Sequence, residues 1–163
     1  MFLSPITQGT LILPRTSFDA KESFKIRHGH RWSSDNKTNK ILPLATPQAE
    51  VSEIKTCYRT LQTPTSEWDI MEEFPECVYN DINVLLPHMC SLAALQSKGE
   101  SEGDLVVDGY KANLCFFVPN PDEPCVGFVV RAGWDSVDSE WFFYANPLDG
   151  YVWSAGGRVF GNC

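Results

Sequence analysis

Two runs in the C-terminal part of the chain, Leu114-Cys115-Phe116-Phe117-Val118 and Trp141-Phe142-Phe143-Tyr144, carry large or apolar side chains at every position. Successive residues of a β-strand point to opposite faces, so a strand with one wet face alternates polar with apolar. These runs do not alternate, and both faces of any sheet that contains them must be covered. Two further runs, Val126-Gly127-Phe128-Val129-Val130 and Tyr151-Val152-Trp153, lie nearby. Between the four stand Pro119 to Pro124, Gly133 to Asp138 and Asn146 to Gly150, clusters of the residue types that reverse a chain. The pattern predicts four to five antiparallel strands between about residues 105 and 160, joined as a meander. Leu105-Val106-Val107 opens it, with a turn or bulge at Asp108-Gly109. One face calls for helices. The other calls for sheet curvature, the N-terminal segment, a second copy of the chain or a ligand.

The helices are expected at about 48–97. Val51, Ile54, Tyr58 and Leu61 share one helical face over Pro47–Leu61, with Glu50 and Glu53 in the first turn. Ser66 is placed to cap a helix, with Asp69 three residues on. From Trp68 to Leu95 an apolar stripe continues, interrupted by Pro75 and Pro87, which predicts a kinked helix or three helices near 67–74, 75–86 and 87–97. Lys98-Gly99 closes the stripe.

Charge divides the chain at Pro47. Residues 1–46 hold seven Lys/Arg against three Asp/Glu, a net +4, and show no sustained apolar period; they read as a basic arm, poorly ordered or peripheral, with a polar loop over Ser33–Lys40. Residues 47–163 hold six against eighteen, a net −12. An acidic domain repels phosphate backbones and attracts cationic surfaces, which argues against nucleic acid and for a basic protein partner. No apolar run approaches the roughly 18 residues that span a bilayer, so no membrane partner is expected. The opening residues lack a charged stretch followed by an apolar core, and the six cysteines have no C-x-x-C spacing. Both point to a cytoplasmic protein with largely reduced thiols.

No catalytic motif stands out. His88 is the one histidine after Pro47, and Cys90, two positions on, lies about 200° round a helix axis from it, so the two cannot meet on one face. His28 and His30 share one side of a strand but have no Cys or carboxylate cluster beside them, and no metal or cofactor is expected. Asp104 with Asp108, and Asp135 with Asp138 and Glu140, are loop carboxylates. Ser154-Ala155-Gly156-Gly157-Arg158 holds glycines and a cation but opens no helix after a parallel strand, so the phosphate-binding patterns are not met.

Helices followed by a curved antiparallel meander resemble the order of elements in cystatin-like and nuclear-transport-factor-like cones, whose members bind small molecules in the hollow or dimerise through the sheet. The hairpin from Trp141 to Val152 resembles the closing hairpin of small inhibitory and propeptide-type modules. The expected architecture is therefore an α+β domain over residues 47–163, with its helices on one face of a four- to five-stranded antiparallel meander. The expected function is a small acidic binding module, of the inhibitor or immunity type, for a basic partner. The alternative is a small-molecule-binding or enzymatic cone. Candidate ligand or interface residues are Trp134, Trp141, Phe143 and Trp153 in the hollow or on a homodimeric sheet face, and Asp122 and Asp135 on the acidic loops.

Overall fold

The computed structural model of the chain describes residues 1–13, 17–24, 30–32 and 40–163, residues 30–32 by their backbone. In order the elements are β1 (Thr7–Ile12), α1 (Ala20–Ser23), β2 (His30–Trp32), β3 (Ile54–Thr60), β4 (Thr65–Ser66), α2 (Glu67–Glu73), β5 (Val78–Tyr79), α3 (Ile82–Leu95), β6 (Asn113–Phe117), β7 (Phe128–Asp135), β8 (Glu140–Pro147), β9 (Val152–Trp153) and β10 (Arg158–Asn162). The main sheet has eight strands and runs β1-β3-β10-β6-β7-β8-β2. β6 takes β10 along the first half of one edge and β5 along the second half, both in parallel. β4 and β9 form a separate two-stranded ribbon.

The expected meander of four to five strands on one layer of helices is thus replaced by a larger mixed sheet. Among the described strands only β6, β7 and β8 follow one another as antiparallel neighbours. The meander stops there because the chain turns out of the sheet after Pro147, through Gly150 at φ 81°, and pairs as β9 with β4. It re-enters as β10, parallel to β6 and antiparallel to β3. No helix forms over Pro47–Leu61, whose second half, Ile54–Thr60, is strand β3. Its Ile54, Thr56, Tyr58 and Thr60 are β-branched or aromatic, and partners on both edges satisfy its backbone, which outweighs the helical spacing.

Helices cover both faces of the sheet rather than one. On the first face Phe117, Val130, Trp141, Phe143 and Phe160 share a cluster with Leu85, Leu86 and Met89 of α3. On the second, Leu114, Phe116, Val129 and Val159 share a cluster with Ile70 of α2 and with Phe74. The chain itself answers the demand that both faces be covered. α2 starts at the expected cap, where Ser66 Oγ accepts from the Asp69 amide at 3.2 Å. The apolar stripe divides at Pro75, which opens a short 3₁₀ turn, Pro75–Cys77, ahead of β5. It does not divide at Pro87, which lies inside α3. Residues Leu85 to Cys90 are buried at every position, so packing all round α3 holds the turn whose hydrogen bond Pro87 lacks.

Segment 1–46, expected as a peripheral arm, enters both sheet and core in its described residues. β1 pairs with β3, and β2 pairs in parallel with β8. Phe18, Phe24 and Ile41 join the first-face cluster, and Phe24 meets Phe143 edge-on with ring centroids 5.3 Å apart. Isolated hydrophobic residues spaced without a period are sufficient here, because each fills a separate gap around α3 and the sheet. Leu3 is buried in the second-face cluster. It is held by a polar latch: Glu73 accepts the amides of Phe2 and Leu3 at 2.7 and 3.2 Å, while the Arg59 guanidinium donates to the carbonyls of Leu3 and Ser4 and pairs with Glu73 at 2.8 Å. The Ser33–Lys40 loop, apart from Lys40, and the side chains of His28 and His30 lie outside the described residues.

Candidate binding pocket

β7 and β8 run antiparallel with Arg131 opposite Tyr144, so these two side chains point to the same face of the sheet. On this second face Phe142 stacks on Tyr144 with its plane inclined by 4°, and Gly133, across from Phe142, leaves room for that ring. The β4–β9 ribbon overhangs this part of the sheet. Between ribbon and sheet lies a cavity of about 310 Å³, lined from the sheet by Arg131, Tyr144 and Asn146 and from the ribbon side by Glu67, Asp149 and Trp153. A smaller recess of about 70 Å³ shares Arg131, Tyr151 and Trp153 with it.

Arg131 is the unusual group. Its guanidinium carbon lies 5.2 Å from the Tyr144 ring centroid and 5.8 Å from that of Trp153. Such cation–π contacts favour the charge but supply no hydrogen-bond acceptor in the guanidinium plane. Its Nε is buried with no hydrogen-bond partner among the described residues. It forms no ion pair with Glu67 or Asp149, although all three line the same cavity.

Glu67 explains why the ribbon stands where it does. The carboxylate is buried, with 1% of the residue exposed. It accepts the amides of Asp149 and Gly150 at 3.1 and 3.0 Å and the Trp153 indole N–H at 3.3 Å. Burial pushes the Glu67 carboxyl above its ordinary range, against the opposing pull of those three donors. One side chain therefore fixes the turn after β8 and the ring that forms one wall of the pocket. Gly150 serves the same turn, since a Cβ there would sit 2.9 Å from Trp68 Nε1.

The six residues singled out in the sequence do not converge. Trp141 and Phe143 are fully buried in the first-face cluster, where the Trp141 indole donates to the Gln96 carbonyl at 2.7 Å. Trp134 packs edge-on against Trp141 with centroids 5.3 Å apart. Trp153 alone of the four aromatics lines the pocket, on the other side of the sheet. Asp122 is exposed in the loop before β7, and Asp135 ends that strand, accepting the amides of Val137 and Asp138 in the β7–β8 turn. Eight strand residues separate the two loops, about 25 Å. Arg131 and Glu67 were not among the sequence candidates. The signal for Arg131 is a lone cation within Phe128-Val129-Val130-Arg131-Ala132, a run otherwise apolar.

His88 and the buried thiols of Cys77, Cys90 and Cys115 lie away from the pocket. His88 is fully buried, with Nε2 2.8 Å from Thr56 Oγ1 and Nδ1 2.6 Å from the Tyr79 hydroxyl, so its ring partners are hydroxyls and not a thiol. Burial raises the Cys77 and Cys115 thiols well above the ordinary range. Burial also lowers the His88 pKa to about 4, and the Asp104 charge only partly opposes it. An unfolded histidine titrates near 6.5, so the unfolded chain takes up this proton first as pH falls. The stability His88 supports is complete above about pH 6.5 and is lost progressively down to about 4, a difference of about 3 kcal/mol. Urea unfolding of the wild type and of His88→Gln from pH 7 to 4 is expected to give a steeper loss for the wild type by about this amount. Parallel curves would contradict the assignment.

Among the described residues no group of three or more His, Cys, Asp or Glu side chains is gathered as a metal site requires. No described helix is long and apolar enough to cross a membrane. No protein-family model, curated protein or solved structure matches this chain.

Proposed function

We propose that the protein is a binding module whose site is the pocket between the β4–β9 ribbon and strands β7 and β8. The observation that supports this reading is the Arg131 guanidinium, which faces a concave, aromatic-walled cavity with its Nε unsatisfied. The Arg131 Nε is shut off from solvent, so a ligand acceptor in the pocket would pair with the other guanidinium N–H groups, to which the flanking rings of Tyr144 and Trp153 offer no acceptor in the guanidinium plane. The aromatic-lined pocket on the sheet anticipated as the alternative function is thus the leading reading, with a different set of walls.

The acidic surface supports a second reading. The net −12 over residues 47–163 would steer a basic protein onto the domain, as expected of an inhibitor or immunity-type protein. Homodimerisation through the sheet loses its motive, because Phe116, Trp141 and Phe143 are already fully buried by the chain itself. Cys57 and Cys163 form a disulfide, and such bridges persist in oxidising compartments, which weighs against the cytoplasmic placement.

One variant separates the two readings. Asn146 lines the pocket, and Asn146→Trp would fill much of it. Fragment-sized compounds screened by thermal shift are expected to include binders that stabilise the wild type and leave Asn146→Trp unchanged. A lysine-rich peptide docking on the acidic surface would bind both forms alike. Stabilisation of both forms by every active compound would reject the pocket.

A further inference from the structure

We infer that the ligand of this pocket is a small monocarboxylate carried on a flat apolar or aromatic body, an assignment that rests on the pocket reading above. The guanidinium fork matches a carboxylate or a phosphate in a way no neutral group does, because two parallel N–H donors can meet two oxygens in one plane. The walls decide between these anions. Glu67 and Asp149 bring two carboxylates to the same cavity. Glu67 Oε2 is already occupied by two amides and Asp149 Oδ1 by the Tyr151 amide, so neither is placed to turn away and pair with Arg131. A phosphate dianion would meet both carboxylates with only one cation to offset it. A monocarboxylate meets the same two side chains with half that charge, which the single guanidinium of Arg131 matches.

The remaining walls select the body of the ligand. Tyr144 and Trp153 flank the guanidinium, and Tyr151 meets Trp153 edge-on with centroids 4.8 Å apart, giving flat apolar surfaces beside the charge. The volume of about 310 Å³ lies at the small end of ligand pockets and is enough for one ring and a carboxylate. Glu67 and Asp149 act as positioning residues. They hold Trp153 and the β8–β9 turn, and they disfavour more highly charged anions.

The test is calorimetric titration of the full chain with phenylacetate, with its neutral isostere phenylacetamide, and with phenyl phosphate. Wild type, Arg131→Met and Arg131→Lys are compared, the methionine keeping the stem that packs between the rings. The expected result is that phenylacetate binds the wild type most tightly and loses about 30-fold or more in Arg131→Met. Arg131→Lys should keep part of the affinity, having the charge without the fork. Phenylacetamide should bind the wild type about as weakly as phenylacetate binds Arg131→Met. Equal affinity for acid and amide, or no effect of Arg131→Met, would overturn the carboxylate assignment. Tighter binding of phenyl phosphate would overturn it in favour of phosphate. If none of the three binds, the assignment also falls, whereas the pocket is judged separately by whether other fragments distinguish wild type from Asn146→Trp.

Discussion

A chain that lacks residues 1–12 is expected to show no cooperative unfolding transition. The deletion removes β1, the edge partner of β3, and takes Leu3 and Ile12 out of the two clusters, where they are 1% and 7% exposed. Truncating a single buried aliphatic side chain to alanine costs about 2–5 kcal/mol. The deletion also takes from Arg59, which is 7% exposed, the carbonyls of Leu3 and Ser4, and from Glu73 the amides of Phe2 and Leu3, while the Arg59–Glu73 pair itself remains. A hydrogen bond to a charged group contributes about 1.5–3 kcal/mol. Together these losses match or exceed the roughly 5–15 kcal/mol of a typical domain. Circular dichroism on heating reads the outcome, with Leu3→Ala as the milder companion, expected to lower stability by about 3 kcal/mol. A truncated chain that kept the wild-type transition would return residues 1–12 to the status of a peripheral arm.

Replacing Cys163 by serine is expected to cost about 4 kcal/mol. The Cys57–Cys163 bridge spans 106 residues and ties β10 to β3 beside the register pair Gly161 and Cys57. Closing a loop of this length removes about 4–5 kcal/mol of chain entropy from the unfolded state. Cys163 is exposed and Cys57 buried, so the change at 163 breaks the bridge while leaving the packed sulfur in place. Urea unfolding with and without reductant should show the wild type falling to the level of Cys163→Ser and the variant unaffected. Equal stability in all samples would mean that the bridge contributes nothing. Denatured, unreduced wild type should titrate four thiols, those of Cys77, Cys90, Cys115 and Cys125. The largely reduced state read from the cysteine spacing therefore needs one correction. Cys57 and Cys163 meet only because β3 and β10, distant in sequence, pair in space.

The same limit runs through the rest of the reading. What local chemistry decides was legible: the Ser66 cap, the turn clusters after β6, β7 and β8, and the demand of Phe116, Phe117, Phe142 and Phe143 for cover on both faces. What non-local pairing decides was not. Val51, Ile54, Tyr58 and Leu61 fit a helical face, yet β3 takes its shape from β1 on one edge and β10 on the other. Leu105–Val107 looks like a strand but is held by buried side-chain amides: Asn113 bonds the Val106 backbone on both its N–H and C=O, and Gln96 does the same for Leu105. For the pocket, aromatic content drew notice to Trp134, Trp141 and Phe143, which strand alternation sends to the first face. Arg131 and Tyr144 go to the second, and only the excursion of β9 to β4 builds a wall above them.

The five tryptophans provide the most direct test of the ligand site, because each indole N–H gives its own resonance in a ¹H–¹⁵N correlation spectrum. Trp153 donates to Glu67 at the pocket wall, whereas Trp141 donates to Gln96 under the opposite face. On titration with phenylacetate the Trp153 indole signal is expected to shift saturably while those of Trp134 and Trp141 stay in place, and Arg131→Met should abolish the shift at the same concentrations. A Trp153 signal that does not move, or a response confined to Trp134 and Trp141, would contradict the assignment of the Arg131 pocket as the binding site.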